Sequence, residues 1–464
     1  VYSMSTSQGH PQRWVILGVI CLAQLTVLLD NTVLNVAIPS LTRELHAATS
    51  DIQWMINAYS LVQSGLLLTA GSAADRYGRK KMLMIGLALF GIGSLVAGLA
   101  HSTTQLIAAR AGMGVGGALL LTTTLAVVMQ IFTAEEQPKA IGIWSAINAL
   151  GFGGGPLIGG FILNHFWWGA IFLINIPVAV LALIAVVVLV PESKSPGSGR
   201  PDLLGALLST IGMASLVFAI ISGPGHGWTS PRVLGAAAVA VLVLGTFAWW
   251  ENKVAEPMLD LHFFRNRRFT GAVAGALLLM FGMGGAMFLL TQHLQFVLGY
   301  GPLEAGLRTA PLAVTVILLN FTGLSAKLSG KLGTPLSIVL GMVLMAAGLV
   351  AIAELDSGGY VGTLLGLVLI GMGAAIANPA MAHAIMSSIP PEKAGIGAGV
   401  NGTLAEFGNG LGVAVLGAVL SASVASGKSL ASGLNAGQLV GAVAVLAGGF
   451  LAAGLLRRAE RVTA

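Results

Sequence analysis

Charged residues are scarce in this sequence: Asp, Glu, Lys and Arg together fill 9% of its 464 positions, against about 25% in an ordinary soluble domain. A chain of this size cannot cover a water-facing surface with so few, so lipid must cover it instead. Cysteine is nearly absent as well. The lone Cys21 sits in an apolar run, can form no intramolecular disulfide and belongs to no zinc-binding spacing, and it reads as a small buried hydrophobe. The chain has no His-Glu-x-x-His, no Gly-x-x-x-x-Gly-Lys-Ser/Thr, no Gly-x-Ser-x-Gly and no sizeable polar domain. Those absences argue against an enzyme, a receptor or an ATP-driven pump acting alone. The net charge of +6 and the pI near 9.6 do not indicate nucleic acid, because the basic residues lie between apolar stretches rather than on one face.

What the chain has instead is apolar length. Hydrophobic residues make up 56% of it and the mean hydropathy is +0.89. A bilayer core takes roughly 20 apolar residues per helix. Segments of that kind fall near 14–38, 52–74, 82–100, 104–131, 139–162, 167–190, 202–222 and 232–250, then near 269–298, 303–325, 335–354, 360–381, 394–424 and 437–456. Fourteen spans are expected. The first is too long for the apolar part of a leader and carries an acid near its far end, so it reads as a retained span. An even count puts both termini on one side. Eighteen of the 23 Lys and Arg residues fall on that side, among them Arg13, Arg76, Arg79, Lys80, Lys81, Lys139, Arg267, Arg268, Lys327, Lys393 and Arg457. That bias makes it the cytoplasmic side.

Two tight basic loops resemble each other. Gly71, Ala74, Asp75, Gly78 and Arg79 follow the second span; Gly323, Ala326, Lys327, Gly330 and Lys331 follow the tenth, at the same spacing. Taken as a repeat, spans 1–6 and 9–14 are equivalent halves and spans 7 and 8 an insertion. Secondary transporters are often built from such paired halves.

The first of these loops, Gly71-Ser72-Ala73-Ala74-Asp75-Arg76-Tyr77-Gly78-Arg79-Lys80-Lys81, closely resembles the signature between helices 2 and 3 of the major facilitator superfamily. Its glycines allow a tight turn and a close helix approach. The resemblance implies that Gly71, Asp75, Arg76, Gly78 and Arg79 form a conformational switch, with Asp75 holding the outward-open state through the other half. In the fifth span, Gly151-Phe152-Gly153-Gly154-Gly155-Pro156-Leu157-Ile158-Gly159-Gly160 is similar to that family's antiporter signature, carried by Gly151, Gly155, Pro156, Gly159 and Gly160. It implies export rather than uptake. The stretch from Leu29-Asp30-Asn31-Thr32 to Pro39, with Trp54-Met55-Ile56-Asn57-Ala58-Tyr59 and Phe172-Leu173-Ile174-Asn175-Ile176-Pro177, resembles the fourteen-span drug:proton antiporters. One departure is Met113, where the fourth span of the family often has Gln near its intramembrane Arg, here Arg110.

Of the 17 acids, Asp30 and Glu406 fall well inside expected spans, where an ionisable group is costly and therefore a candidate for function. Asp30 lies roughly 24 Å along its helix at 1.5 Å per residue. It reads as a proton-coupling or cation-recognising carboxylate, or as a structural acid bonded to Asn31, Thr32 or Asn35. Glu406 falls near the midplane beside Asn401, Thr403 and Asn409; it reads as a second proton site, a binder of cationic substrate, or a solvated group that tunes affinity. Arg110 either modulates a carboxylate or makes a fixed packing pair. Asn35, Tyr59, Trp144, Asn148, Gln292 and His293 are candidate substrate contacts, as are Gln63 and Phe281, with aromatic faces offering cation–π contact.

Together these readings describe an all-α integral membrane protein, major-facilitator-like, with two six-helix halves (1–190 and 269–464) and a linker (191–268) carrying two additional transmembrane helices. The resemblance implies proton-coupled export of small amphipathic or cationic compounds by alternating access, or of a lipid or cell-envelope precursor on the same fold. No metal or cofactor is expected beyond the proton gradient. The partners are lipid, substrate and protons, and the chain is expected to act as a monomer. The Ala- and Gly-rich composition points to a bacterial inner membrane, crossed many times, with both termini cytoplasmic.

Overall fold

In lipid a backbone must satisfy its own hydrogen bonds, and an apolar chain does so most simply as helices. The computed structural model describes residues 9–47, 49–194, 202–355 and 359–463, and no strand occurs among them. Seven helices form the first part: α1 (Arg13–Glu44), α2 (Thr49–Tyr77), α3 (Arg79–Gly98), α4 (Thr103–Ile131), α5 (Gln137–His165), the single turn α6 (Ala170–Leu173) and α7 (Asn175–Leu189). A hairpin of α8 (Leu203–His226) and α9 (Pro231–Glu251) follows. The rest comprises α10 (Arg267–Gln292), α11 (Pro302–Arg308), α12 (Ala310–Phe321), α13 (Leu324–Leu332), α14 (Thr334–Glu354), α15 (Tyr360–Ser387), α16 (Ala394–Ala425) and α17 (Leu430–Thr463).

Among the described residues, eleven helical segments are long and apolar enough to cross a bilayer, or twelve if α11–α12 and α13, bent by 67°, count as one broken span. The fourteen expected from sequence exceed that number. The helices α2 and α5, at 29 residues each, are not among the twelve. Gln, Ser, Asn and Thr dilute the apolar character of α2, and several side chains of α5 lie outside the described residues.

Two apolar cores organise the bundle. One is built by α1–α7 and takes in Ala382, Met386, Ala394 and Ala398 from the later helices. The other is built by α10–α17 and takes in Leu68, Phe247, Met258 and Leu259. With lipid as solvent, such packing rests on close fit, and small residues permit it. The hairpin leans on α2 through its first helix: Thr69 Oγ1 lies 3.1 Å from Thr210 Oγ1 and 3.3 Å from the carbonyl of Ala206. Trp54 and Phe218 stack with ring centroids 6.3 Å apart.

The two similar loops fold differently. In the first, Gly78 (φ +113°) makes the whole turn between α2 and α3. In the second, Gly323 (φ +71°) and Gly333 (φ +77°) make the turns, and Gly330 lies inside α13 between them. The sequence Leu324-Ser325-Ala326-Lys327-Leu328-Ser329-Gly330-Lys331-Leu332 has the alternating polar and apolar content of a surface helix, so a nine-residue helix replaces the tight turn.

Candidate functional site: a buried ion pair and a trans-capped helix

Asp30 and Arg110 meet in an ion pair inside the first core, 3% and 1% exposed. Each has further partners. Asn175 Nδ2 donates to Asp30 Oδ1 at 3.3 Å and lies 3.4 Å from Ser94 Oγ. Arg110 Nε donates to the carbonyl of Met55 at 3.2 Å, and its guanidinium lies 4.4 Å from the centroid of the Tyr59 ring. Gln63 Nε2 donates to the Tyr59 hydroxyl at 3.3 Å. Five helices therefore converge: α1 gives the acid, α4 the base, α2 the carbonyl and ring, α3 and α7 the hydroxyl and amide. A buried charge pair is tolerable only with such satisfaction of its remaining lone pairs and protons. Met113 takes no part. It packs toward α3, where a Cβ added to Gly93 would lie 2.6 Å from its Cγ, so Arg110 finds its partners elsewhere.

The glycines of α5 form the bed on which the Asp30 segment of α1 lies. A Cβ at Gly151 would collide with Leu28; one at Gly159 would lie 3.1 Å from Val33 Cγ1, and one at Gly154 3.7 Å from Leu29 Cδ2. Gly155 is buried and Gly160 half-buried. The side chains of Pro156 and Asn35 lie outside the described residues, although both belong to helices. On the same face, Gln24 Nε2 donates to Asn148 Oδ1 at 2.7 Å and Trp144 Nε1 to Thr124 Oγ1 at 3.2 Å.

Glu406 contrasts with Asp30. It is half-buried on α16, and among the described residues its carboxylate has no hydrogen-bond or ion-pair partner. Glycines bring α16 close to its neighbours here: a Cβ on Gly408 would sit 2.7 Å from Met280 Cβ of α10, and one on Gly402 3.3 Å from Leu67 Cδ2 of α2. Gln292 and His293 stand apart from these groups in sequence order and in fold, at the end of α10 where the helix widens into a π turn over His293–Val297.

The second constellation joins the two halves at the end that carries the basic loops. Asp75 accepts from the backbone N–H groups of Gly395 (2.7 Å) and Ile396 (2.9 Å), which are free donors in the first turn of α16. Arg79 Nη2 donates to Asp75 at 2.9 Å and to the carbonyl of Pro391 at 2.7 Å. Gly71 and Gly395 touch backbone to backbone, leaving no room for a Cβ on either. The left-handed Gly78 has the Glu192 carboxylate beneath it, and that carboxylate accepts from the N–H groups of Lys80 (3.1 Å) and Lys81 (3.0 Å). Arg76 is not part of the cluster; its guanidinium lies 5.8 Å from the Tyr77 ring centroid.

Asp30, Arg110, Tyr59, Asp75 and Arg79 stand out in the sequence, and the fold gathers these into two clusters. Asn175, Ser94, Gln24, Thr124 and Glu192 join them only in the fold. A polar side chain inside an apolar stretch is the one signal that Asn175, Ser94 and Gln24 offered. Glu192, in a loop after α7, offered none.

The chain matches the Major Facilitator Superfamily over residues 20–413. It is 34% identical to the multidrug resistance protein Stp of Mycobacterium tuberculosis over 85% of this chain and 74% of that one. It is 35% identical to the multidrug efflux pump LfrA of Mycolicibacterium smegmatis over 96% of this chain and 88% of that one. With the tetracenomycin C resistance and export protein of Streptomyces glaucescens it shares 32% identity over 90% of this chain and 77% of that one. Among solved structures, the human organic anion transporter MFSD10 shares the fold with a TM-score of 0.68 at 16% identity, covering 96% of this chain and all (100%) of that one. The proton:xylose symporter XylE shares it with a TM-score of 0.65 at 15% identity, covering 96% and 95%. The all-helical fold, the two joined cores and the extent of these similarities agree: the chain belongs to the major facilitator superfamily, a multi-pass membrane transporter related to multidrug resistance and efflux proteins.

Proposed function

We propose that the chain is a proton-coupled antiporter that exports small amphipathic or cationic compounds by alternating access. The observation that carries this reading is the Asp30–Arg110 pair, buried and shared among five helices. Protonation of Asp30 removes its charge, breaks the pair and frees Arg110 to turn to the Tyr59 face and the Met55 carbonyl it already touches. Because α1 lies in the glycine bed of α5, a change at Asp30 is felt along both helices. Glu406, with no partner among the described residues, is the group available to a cationic substrate, and Phe281 lies on α10, which packs against α16 through Gly408 and Gly412; Trp144 and Asn148 would meet substrate on the α1–α5 side. Tyr59 serves the Arg110 side of the site.

In this reading fourteen spans cross a bacterial inner membrane, counting α2 and α5 with the twelve apolar ones. The halves are 1–190 and 269–464, the linker is 191–268, and both termini are cytoplasmic. The end closed by Asp75 and Arg79 is then the cytoplasmic one, so the conformation described is outward-facing. The protein works as a monomer with no cofactor, driven by the proton gradient.

The test is uptake of a fluorescent lipophilic cation into inside-out vesicles under an imposed pH gradient, with Asp30→Asn and Glu406→Gln beside the native chain. Uptake that a protonophore abolishes, that Asp30→Asn removes and that Glu406→Gln weakens for cations alone supports the proposal. Gradient-independent uptake, or none across a panel of cations, overturns it and favours a lipid or envelope-precursor exporter.

A further inference from the structure

Asp202 and Glu251 meet at the base of the α8–α9 hairpin. Asp202 caps α8: its Oδ1 accepts from the N–H of Gly205 at 2.8 Å and from Trp250 Nε1 at 2.8 Å. Glu251 ends α9, is 3% exposed, and its Oε2 accepts from the N–H of Leu259 at 2.8 Å. The other oxygens, Asp202 Oδ2 and Glu251 Oε1, are buried, and no donor reaches either among the described residues. They face the same small space: a Cβ on Gly205 would land against both at once. Ionised carboxylates only accept hydrogen bonds, and two at such close range cannot both stay charged. The contact therefore needs one proton.

The surrounding charges do not remove that need. Lys253 lies over the Trp249 ring at 4.3 Å, and Asp260 pairs with His262 at 2.8 Å. On α2, which packs against α8, Asp75 is held by Arg79 and Arg76 lies over Tyr77; the contact between the two helices is through Thr69. On α16, Glu406 lies between Gly402 and Gly408, which approach Leu67 and Met280. The loop that Glu251 grips carries Met258 and Leu259 into the core of the α10–α17 half, alongside Phe247.

We propose that Asp202 and Glu251 form a proton-binding site of their own, outside the transport path, which locks the base of the hairpin to the segment entering the second half. With the proton in place, the pair holds α8, α9 and the Leu259 backbone together. When the proton leaves, two adjacent carboxylates repel, Leu259 loses its acceptor and the base loosens. The sign follows from linkage: the folded pair holds a proton that the separated carboxylates would release, so the lock weakens as pH rises.

The test needs no transport, so it is independent of the antiport reading. The purified protein, Asp202→Asn and Glu251→Gln are titrated from neutral to alkaline pH, with the carboxylic C=O infrared band and the thermal midpoint followed together. In the native chain a protonated-carboxyl band should vanish on alkalinisation as the midpoint falls. Both variants should lack that component and show a flatter midpoint, because the amide donates where the proton did. An unchanged band and slope in both variants overturns the proposal. So does a midpoint that responds to sodium or magnesium ions rather than pH, which would make the pair a cation site. Failure of both variants to fold also counts against it, since an amide should replace the proton.

Discussion

Arg110 holds a carboxylate, a main-chain carbonyl and an aromatic face at once. Arg110→Ala leaves Asp30 buried without its counter-charge. Breaking a buried pair in this way costs about 3–5 kcal/mol, and thermal or denaturant unfolding in detergent should show that loss. A loss near zero would mean that water reaches Asp30. Asn175→Ala removes one hydrogen bond from Asp30 and should cost about 1 kcal/mol, with a measurable change in the pH dependence of export. Asp30 and Arg110 are legible from sequence because a charge inside an apolar segment stands out. Asn175 is not legible as their partner: it lies 145 residues from Asp30, and a lone amide does not announce what it faces. The same holds for Ser94 and Gln24, whose roles depend on which helices become neighbours.

Helices here are tied together where their ends or small residues leave room. Gly159→Leu should push α1 off α5 and cost about 1–3 kcal/mol as overpacking, with export lost more completely than stability; Gly112→Ala, which meets nothing within 4 Å, should be neutral or stabilise by up to about 1 kcal/mol. Comparing thermal midpoint and transport in the two variants checks this. At the start of α5, Arg13 grips Glu136 at 2.6 and 2.7 Å. That hydrogen bond holds the Glu136 carboxyl below its ordinary value of 4.5. A depressed carboxyl contributes stability above its unfolded value and loses it as pH falls through the folded one. Glu136→Gln should therefore lower stability at neutral pH, where the native pair is intact, and leave strongly acidic pH nearly unchanged, so that the profile flattens on the acid side of that value. The close-packed glycines of α5 are legible because their spacing is itself the message. The unequal folding of the two similar loops is not: Gly78 and Gly330 occupy matched positions in sequence, yet the first turns the chain and the second sits within α13, because nine residues of surface-helix pattern surround it.

At the scale of the whole molecule, the halves are joined at one end by an acid on α2 and the first turn of α16. Asp75→Asn keeps the shape but removes the charge from a helix N-terminus. It should weaken that closure by about 1–2 kcal/mol, roughly a five- to thirty-fold shift in population. Spin-label or fluorescence distances between α2 and α16 should report the shift, and the nearly cysteine-free background helps, since Cys21 is buried. The all-helical character is legible from hydropathy and Asp75 from its motif, but the fourteen spans expected exceed the eleven or twelve found among the described residues. The receiving surface is not legible, because it is made of backbone. That last feature has a consequence for how the protein can change over generations. A latch whose far side is two peptide N–H groups makes no demand on the side chains that carry them. Ile396 can drift without touching the closure, and only Gly395, pressed against Gly71, is held by space. Mutation can thus reshape the second half toward new cargo while its docking point stays intact, provided the helix still begins where it does.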